Sequence, residues 1–427
     1  MKLLSPLLQL MLLSMLVMPC VAMAQTSGTP ASASTTSAHV RHKRRHKSSV
    51  HHRARARTSR GTTARATNHL STRTSGSASA AHRVGYSHRR IYRRRHRYYE
   101  RFTASSYAQE QTIGDITGGE DTVVRQAAIA ALGDMNGTVV VINPDNGRIL
   151  AMVDQRLALS SGAEPCSTIK LSVALAALEE GIVTKDTPVD LGGHFHMTLT
   201  DALAHSNNLY FETVGRRLGF ERVKHYANTF GLGELAGYNI PGEQLGIYPD
   251  HPLPDNMGGV GRMCSFGESV SVTPLQLGAL VAAIANGGTL YYLQHPQSPA
   301  EVASYQPHVK RRLDIGPLLP EMSEGMADVV RFGTARSVRA SFKEFPVLGK
   351  TGTCSNNGTR FGWFGSYADT PYGRLVAVVF LQGGRPTYGP KAAELAGIFY
   401  HNLEEQNYFV TMRPGQQTTD MTASSGR

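Results

Sequence analysis

Residues 137–153 read GTVVVINPDNGRILAMV, two apolar, β-rich runs around Asn143-Pro144-Asp145-Asn146-Gly147, which predicts a hairpin. The pattern then changes period. EPCSTIK leads into LSVALAALEEG, where Ala, Leu and Glu dominate, apolar residues recur around a helix and Gly181 supplies the stop. Pro165 suits the entry to that helix, where a missing N–H costs little. Residues 199–236 read as helix in pieces, through TLTDALAHSNNLYFETVGRRLG and ERVKHYANTFGLG. SVTPLQLGALVAAIANGG predicts another helix: Thr273 caps it, Pro274 opens it, Gln276 completes a capping box and Gly287-Gly288 ends it. Three strand-like runs follow, FPVLGKTGTCS, TRFGWFGSYAD and RLVAVVFLQG, and then an amphipathic helix, KAAELAGIFYHNLEE. A strand pair, a helical middle, three strands and a helix predict an α+β fold, with an antiparallel sheet and helices segregated around it. No internal repeat is visible.

The ends of the chain break this picture. Residues 1–24 carry one early lysine, an apolar run and a small-residue end at Ala22-Met23-Ala24, which predicts a secretory signal cut before Gln25; an uncleaved anchor is the alternative. Residues 25–115 are rich in Ser, Thr, Ala, Arg and His and poor in aliphatic residues, so they are expected to be disordered. Residues 41–101 hold 19 Lys and Arg against one Glu, whereas residues 102–427 hold 24 against 31 acidic residues. The formal charge of +12 therefore belongs to the basic segment, and the remainder is mildly acidic. On an exported chain such a segment meets anionic lipid heads or envelope polymers rather than nucleic acid. A globular domain is expected over 120–407 and a loose tail over 408–427. Cys20 leaves with the signal; Cys166, Cys264 and Cys354 remain, too few and too odd in number for a disulfide scaffold.

Three short clusters carry candidate chemistry. Ser167 and Lys170 stand one helical turn apart and share a face. Ser206-Asn207-Asn208 sits at a break in helix, and Lys350-Thr351-Gly352 ends an apolar strand. Each alone has a plain structural reading, as a helix cap, a solvated lysine or a strand end. Together they have the parts of an acyl transfer: a nucleophile at a helix N-terminus, a nearby base and donors for an oxyanion. Lys170 can accept the serine proton only if burial or a second cation such as Lys350 lowers its pKa.

The ordered set S-x-x-K, S-N-N and K-T-G, within EPCSTIK, HSNNLYF, YNIPGEQLGIYP, VTPLQLGALVAAIANGG and GKTGT…FGWFGSYA, resembles the transpeptidase domain of penicillin-binding proteins, nearest the class B group. The likeness covers residues 137–400. It implies a five-stranded antiparallel sheet flanked by helices with an all-helical subdomain. It also implies D,D-transpeptidase action on peptidoglycan stem peptides and covalent capture of β-lactam antibiotics. By the same resemblance Ser167 is the nucleophile, Lys170 its base, and Ser206 a proton relay to the leaving amine. Asn208 orients the peptide; Lys350, Thr351, Gly352 and Thr353 hold its terminal carboxylate; the backbone N–H groups of Ser167 and Thr353 form the oxyanion hole. A D,D-carboxypeptidase, a β-lactamase and a non-catalytic penicillin-binding receptor remain as alternatives on the same fold.

The sequence departs from that pattern in places. The middle cluster has Asn207 where the family has Asp, and a basic segment stands where class B proteins carry a folded module. Cys166 and Cys354 occupy positions usually held by glycine and a small residue; the resemblance places both beside the oxyanion donors, where they are either two small buried hydrophobes or a disulfide pair. Glu164 and Glu268 are candidates to titrate near the cleft, and Trp363 is expected in the core. His194 and His196 have the spacing of a same-face strand pair with no third ligand at hand, so no metal is expected there, and no cofactor is implied. The oligomeric state is not legible.

Overall fold

The computed structural model describes residues 100–412 apart from Lys185. The expected signal over 1–24, the basic residues before Glu100 and the tail beyond Met412 lie outside the described residues. Helix α1 (Thr122–Leu132) begins at Asp121, whose carboxylate accepts the N–H groups of Val123 and Val124. The predicted hairpin follows as β1 (Gly137–Ile142) and β2 (Ile149–Val153), with Gly147 at φ 78° in its turn. The helical middle comprises α2 (Lys170–Glu179), α3 (Leu199–Ala204), α4 (Asn208–Leu218), α5 (Phe220–Thr229), α6 (Gly259–Phe266), α7 (Pro274–Ala285) and α8 (Leu319–Arg331). The capping box at Thr273 and Gln276 is present, and every residue of α7 is buried.

The last third is a meander of β3 (Val347–Asn356), β4 (Thr359–Thr370) and β5 (Gly373–Gly383), followed by α9 (Gly389–Glu405). Asn357 and Gly358, at φ 48° and 75°, make the tight turn between β3 and β4, since both central residues of such a turn need positive φ. The five strands pair antiparallel in the order β2-β1-β5-β4-β3, which leaves β3 on an edge. Central strands β4 and β5 are buried along most of their length, as strands covered on both faces must be. Successive residues feed opposite cores: Trp363 packs with Phe380 and Leu277 on the α7 side, and Phe364 with Tyr400 and Phe399 on the α9 side. The architecture is the α+β one expected, a five-stranded antiparallel sheet with helices around it.

Two boundaries are corrected. The segment from Thr103 to Asp115, expected to be disordered, is docked on the sheet and α1. Ser106 is buried; its hydroxyl accepts the Gly384 N–H at 2.9 Å, and its carbonyl accepts the Asn136 N–H at 2.8 Å. Asp115 pairs with Arg125 at 2.7 Å. This docking uses backbone bonds, a serine and an ion pair, which leave no hydrophobic pattern to read. The tail expected from residue 408 begins instead with a helical turn, Tyr408–Thr411, whose Phe409 is fully buried near Phe342 and Phe345.

Candidate active site

Ser167 lies in a single 3-10 turn, Cys166–Ile169, and the α-helix proper starts only at Lys170. The nucleophile candidate therefore precedes the helix rather than opening it, a tighter entry than the sequence pattern predicts. Cys166 reaches φ 53° in that turn, the left-handed region that costs a side-chain-bearing residue about 1–2 kcal/mol. Ser206 has the same φ, 53°, between α3 and α4, so both serine clusters stand at strained backbone. Asn207, not Ser206 or Asn208, caps α4: its side chain accepts the Tyr210 N–H at 2.9 Å. That leaves Ser206 and Asn208 free of the capping duty that was their structural reading.

Three links hold the Ser167 turn and the residues just before it against β3 and its neighbour β4. Cys166 and Cys354 are joined by a disulfide with Cα atoms 5.5 Å apart. The indole N–H of Trp363, a buried core residue as expected, donates to the Glu164 carbonyl at 2.9 Å. Gly352 faces the turn so closely that a Cβ there would stand 2.8 Å from the Pro165 carbonyl oxygen and 3.3 Å from Cys166 Cβ. Gly352→Ala is thus expected to push β3 away from Ser167, costing about 1–3 kcal/mol of stability and slowing acylation of the serine. A thermal melt and an acylation rate check this; no change in either would mean that the turn yields freely.

The four central polar side chains meet with Lys170 and Lys350 fully buried and Ser167 and Ser206 half-buried. Lys170 Nζ lies 3.0 Å from Ser167 Oγ, 3.1 Å from Ser206 Oγ, and 2.7 Å from both the Ser206 carbonyl oxygen and Asn208 Oδ1. Lys350 Nζ lies 2.8 Å from Ser206 Oγ and 3.1 Å from the Thr351 carbonyl oxygen. Ser206 is the bridge between the two amines. Burial, then the charge of Lys350, drives the Lys170 pKa well below its ordinary value, against a smaller opposing pull from Glu212. Burial alone brings Lys350 down to about 7.

A neutral Lys170 has two N–H donors and one lone pair. The Ser206 carbonyl and Asn208 Oδ1 are pure acceptors and take the two donors, which leaves the lone pair for a serine hydroxyl. The geometry thus supports proton transfer from Ser167 to Lys170. The Thr351 hydroxyl is 2.6 Å from that of Thr334, and Thr353 Oγ1 accepts the Gly389 N–H at 2.8 Å. Along β3, Gly352 faces the serine turn, whereas the Thr351 and Thr353 side chains lie against Gly389 at the start of α9.

Several contributors were not legible in the sequence. Thr334 reaches the site from a loop after α8, and the Phe211 ring stands 5.4 Å from Lys170 Nζ. Burial and the neighbouring Glu268 push the Glu164 carboxyl up to about 7, with Arg262 opposing; Arg262 pairs with Glu268 at 2.6 Å. His194 and His196 are exposed at a small hairpin, and no cluster of metal-binding side chains occurs among the described residues.

With the geometry in place, comparisons with known proteins are informative. The family model described as Penicillin binding protein transpeptidase domain matches residues 137–401. The chain is 32% identical over 256 residues to Stage V sporulation protein D of Bacillus subtilis, covering 50% of this chain and 39% of that one. It is 25% identical over 354 residues to Peptidoglycan D,D-transpeptidase MrdA of Acinetobacter baumannii, covering 65% and 52%. The chain thus spans about half or less of the length of these curated relatives. A solved peptidoglycan glycosyltransferase from Burkholderia ambifaria aligns with TM-score 0.57 at 21% identity, over 68% of this chain and 97% of that one. Pseudomonas aeruginosa PBP2, in complex with WCK 5153, aligns with TM-score 0.55 at 22% identity, over 67% and 77%. At these identities the solved structures speak for the fold.

Proposed function

The chain belongs to the penicillin binding protein transpeptidase family, and from that premise we propose that it is a serine D,D-transpeptidase of peptidoglycan cross-linking. The observation that carries the reading is Lys170 Nζ held 3.0 Å from Ser167 Oγ, its two N–H donors engaged elsewhere. Ser167 attacks the penultimate D-Ala carbonyl of a stem peptide as Lys170 takes its proton. The Ser167 and Thr353 N–H groups steady the oxyanion. Ser206, within 3.1 Å of Lys170 and 2.8 Å of Lys350, relays the proton to the leaving D-Ala amine. Lys350, Thr351 and Thr353 receive the terminal carboxylate, with Gly352 keeping the strand close to the serine turn. The Asn208 side chain orients the substrate amide through its NH2 group while its oxygen positions Lys170.

The same acyl-enzyme forms with β-lactams, whose strained amide replaces the peptide bond. A substrate of this kind places the enzyme in the cell envelope, reached by export. The basic segment is then a tether for anionic lipid heads or envelope polymers. No helix among the described residues is long and apolar enough to cross a membrane.

The test is a time course of the full-length protein with fluorescent penicillin, together with an assay for D-Ala release and cross-linked product from stem peptides. A long-lived adduct with cross-linked product supports the proposal. D-Ala release without cross-linking favours the carboxypeptidase, and an adduct that forms and clears while the drug is consumed favours the β-lactamase.

The two lysines also predict the pH dependence. Acylation requires neutral Lys170, so kcat/KM rises with pH on a limb well below the ordinary lysine value. Binding of a carboxylate requires charged Lys350, so kcat/KM falls as pH rises through about 7. Lys350→Arg keeps the cation at every pH and is expected to abolish the falling limb. Penicillin acylation rates across pH 5–10 check this; a falling limb that persists in the arginine variant rules out Lys350 as its source.

A further inference from the structure

A separate chamber lies beside β3, formed by the loop after α8 and the start of α9. It is a cavity of about 730 Å³ bordered by Arg331, Arg336, Arg339, Lys343, Thr334 and Pro390, and no carboxylate lines it. Two of its walls belong to the active site's own supports. Thr334 bonds the Thr351 hydroxyl at 2.6 Å, and Pro390 follows Gly389, whose N–H donates to Thr353 Oγ1 at 2.8 Å. The chamber therefore adjoins the Lys350–Thr353 strand. Its charge is local and not general, because residues 102–427 are net acidic. Arg331 pairs with Asp328 at 2.8 Å and Lys343 lies close enough to Glu344 to help hold that carboxyl low, whereas Arg336 and Arg339 have no carboxylate partner among the described residues. Arg339 donates to the Arg331 carbonyl at 3.1 Å, and the side chains of Arg336 and Lys343 make no hydrogen bond to an acceptor among the described residues. A concave wall of one sign focuses its field and favours a ligand of the other.

The direction of the reaction says which ligand. The amine that accepts the acyl group attacks the carbonyl from the side on which the leaving amine departed, by microscopic reversibility. The departing residue carries the carboxylate held along Lys350–Thr353. The acceptor strand therefore lies on that same side, and its chain continues outward past Thr351 and Thr353 toward the chamber.

Building on the transpeptidase reading, we propose that the chamber walled by Arg331, Arg336, Arg339 and Lys343 is the acceptor subsite, which recognises side carboxylates of the incoming stem peptide. Arginine forks match carboxylates bidentately, which suits orientation as well as attraction. With the acceptor seated, its neutral amine attacks the Ser167 ester carbonyl. The C–N bond forms, the C–O bond to Ser167 breaks, and the proton shed by the amine returns to Ser167 Oγ. The four cations act by position and charge and touch no reacting atom. An enzyme with this chamber favours amine over water as acceptor when the amine is carried by an acidic peptide.

The experiment uses the full-length protein acylated by a stem-peptide donor, offered either a carboxylate-bearing acceptor peptide or the same peptide with its side carboxylates amidated. The readout is the ratio of cross-linked to hydrolysed product, which is independent of acylation rate. The wild type is expected to prefer the acidic acceptor by roughly tenfold, falling with added salt. The double variant Arg336→Ala/Arg339→Ala should lose that preference, and Arg336→Lys/Arg339→Lys should keep most of it. An unchanged preference in the alanine variant, or none in the wild type, overturns the proposal. Fluorescent penicillin on the wild type tests the acyl-transfer reading separately. Should no Ser167 adduct form, anisotropy of a fluorescein-labelled acidic acceptor peptide still decides the chamber: weaker binding to the alanine variant supports it, and equal binding overturns it.

Discussion

Replacing Ser167 by alanine is expected to abolish the covalent penicillin adduct and to lower the acylation rate by at least about 10⁴-fold, since no other group supplies the bond-forming oxygen. The fold is expected to survive. Ser167 is half-buried, and among the described residues its hydroxyl is within bonding distance of Lys170 alone, which keeps the Ser206 carbonyl and Asn208 as partners. Stability should therefore change by less than about 1 kcal/mol, the range of a single modest hydrogen bond. Intact-mass measurement after incubation with penicillin reads the adduct directly, and a thermal melt reads the fold. A full-strength adduct on the alanine variant would move the nucleophile elsewhere, with Ser206 the first residue to examine because it bonds both lysines.

The second large effect is at Lys170. Its amine is fully buried, and burial and then the charge of Lys350 push its pKa well below the ordinary lysine value, a shift that favours the neutral form a base needs. Lys170→Met keeps the volume and removes the base, and a loss of about 10²–10⁴-fold in acylation rate is expected. Lys170→Arg gives the sharper test. Guanidinium stays protonated at any working pH and cannot accept the serine proton, so this variant should be as slow as the methionine one. If arginine restores a substantial rate, Lys170 acts through its charge and the proton goes elsewhere. The methionine variant leaves the Ser206 carbonyl and Asn208 Oδ1 without their donor and the arginine variant must fit a larger charged group there, so both acylation rates should be read beside melting temperatures.

Both predictions rest on residues that were already visible as short motifs. The spacing of Ser167 and Lys170 put them on one helical face, and the glycine and capping signals bounded the helices, because those signals act within one or two turns of chain. The hairpin at 143–147, the capping box at Thr273 and the three closing strands were legible for the same reason. Helices α1 and α8 were not singled out. The apolar face of α1 is weakly marked, but α8 is strongly amphipathic and its face, buried against α3 and β3, was there to be read. The segment 103–115 was misjudged because hydrogen bonds and ion pairs, unlike apolar burial, impose no period on sequence.

Sequence alone thus determined the element order and the α+β class, which depend on local periodicity, and the resemblance of its ordered motifs to a known family marked Ser167, Lys170, Ser206 and Lys350 as a candidate set. Tertiary structure decided what the set can do. Only the packing of α2, α3 and α4 against an edge strand places Lys350 beside Ser206, 144 residues away in the chain, and strips water from two amines at once. The lowered pKa of Lys170 belongs to neither its motif nor its helix. It arises from burial and from a second cation delivered by a distant strand, and the basic chamber behind that strand is likewise assembled from α8, the loop after it and the start of α9. Electrostatics depends on distance through space and on the surrounding dielectric, and neither is written in the order of residues.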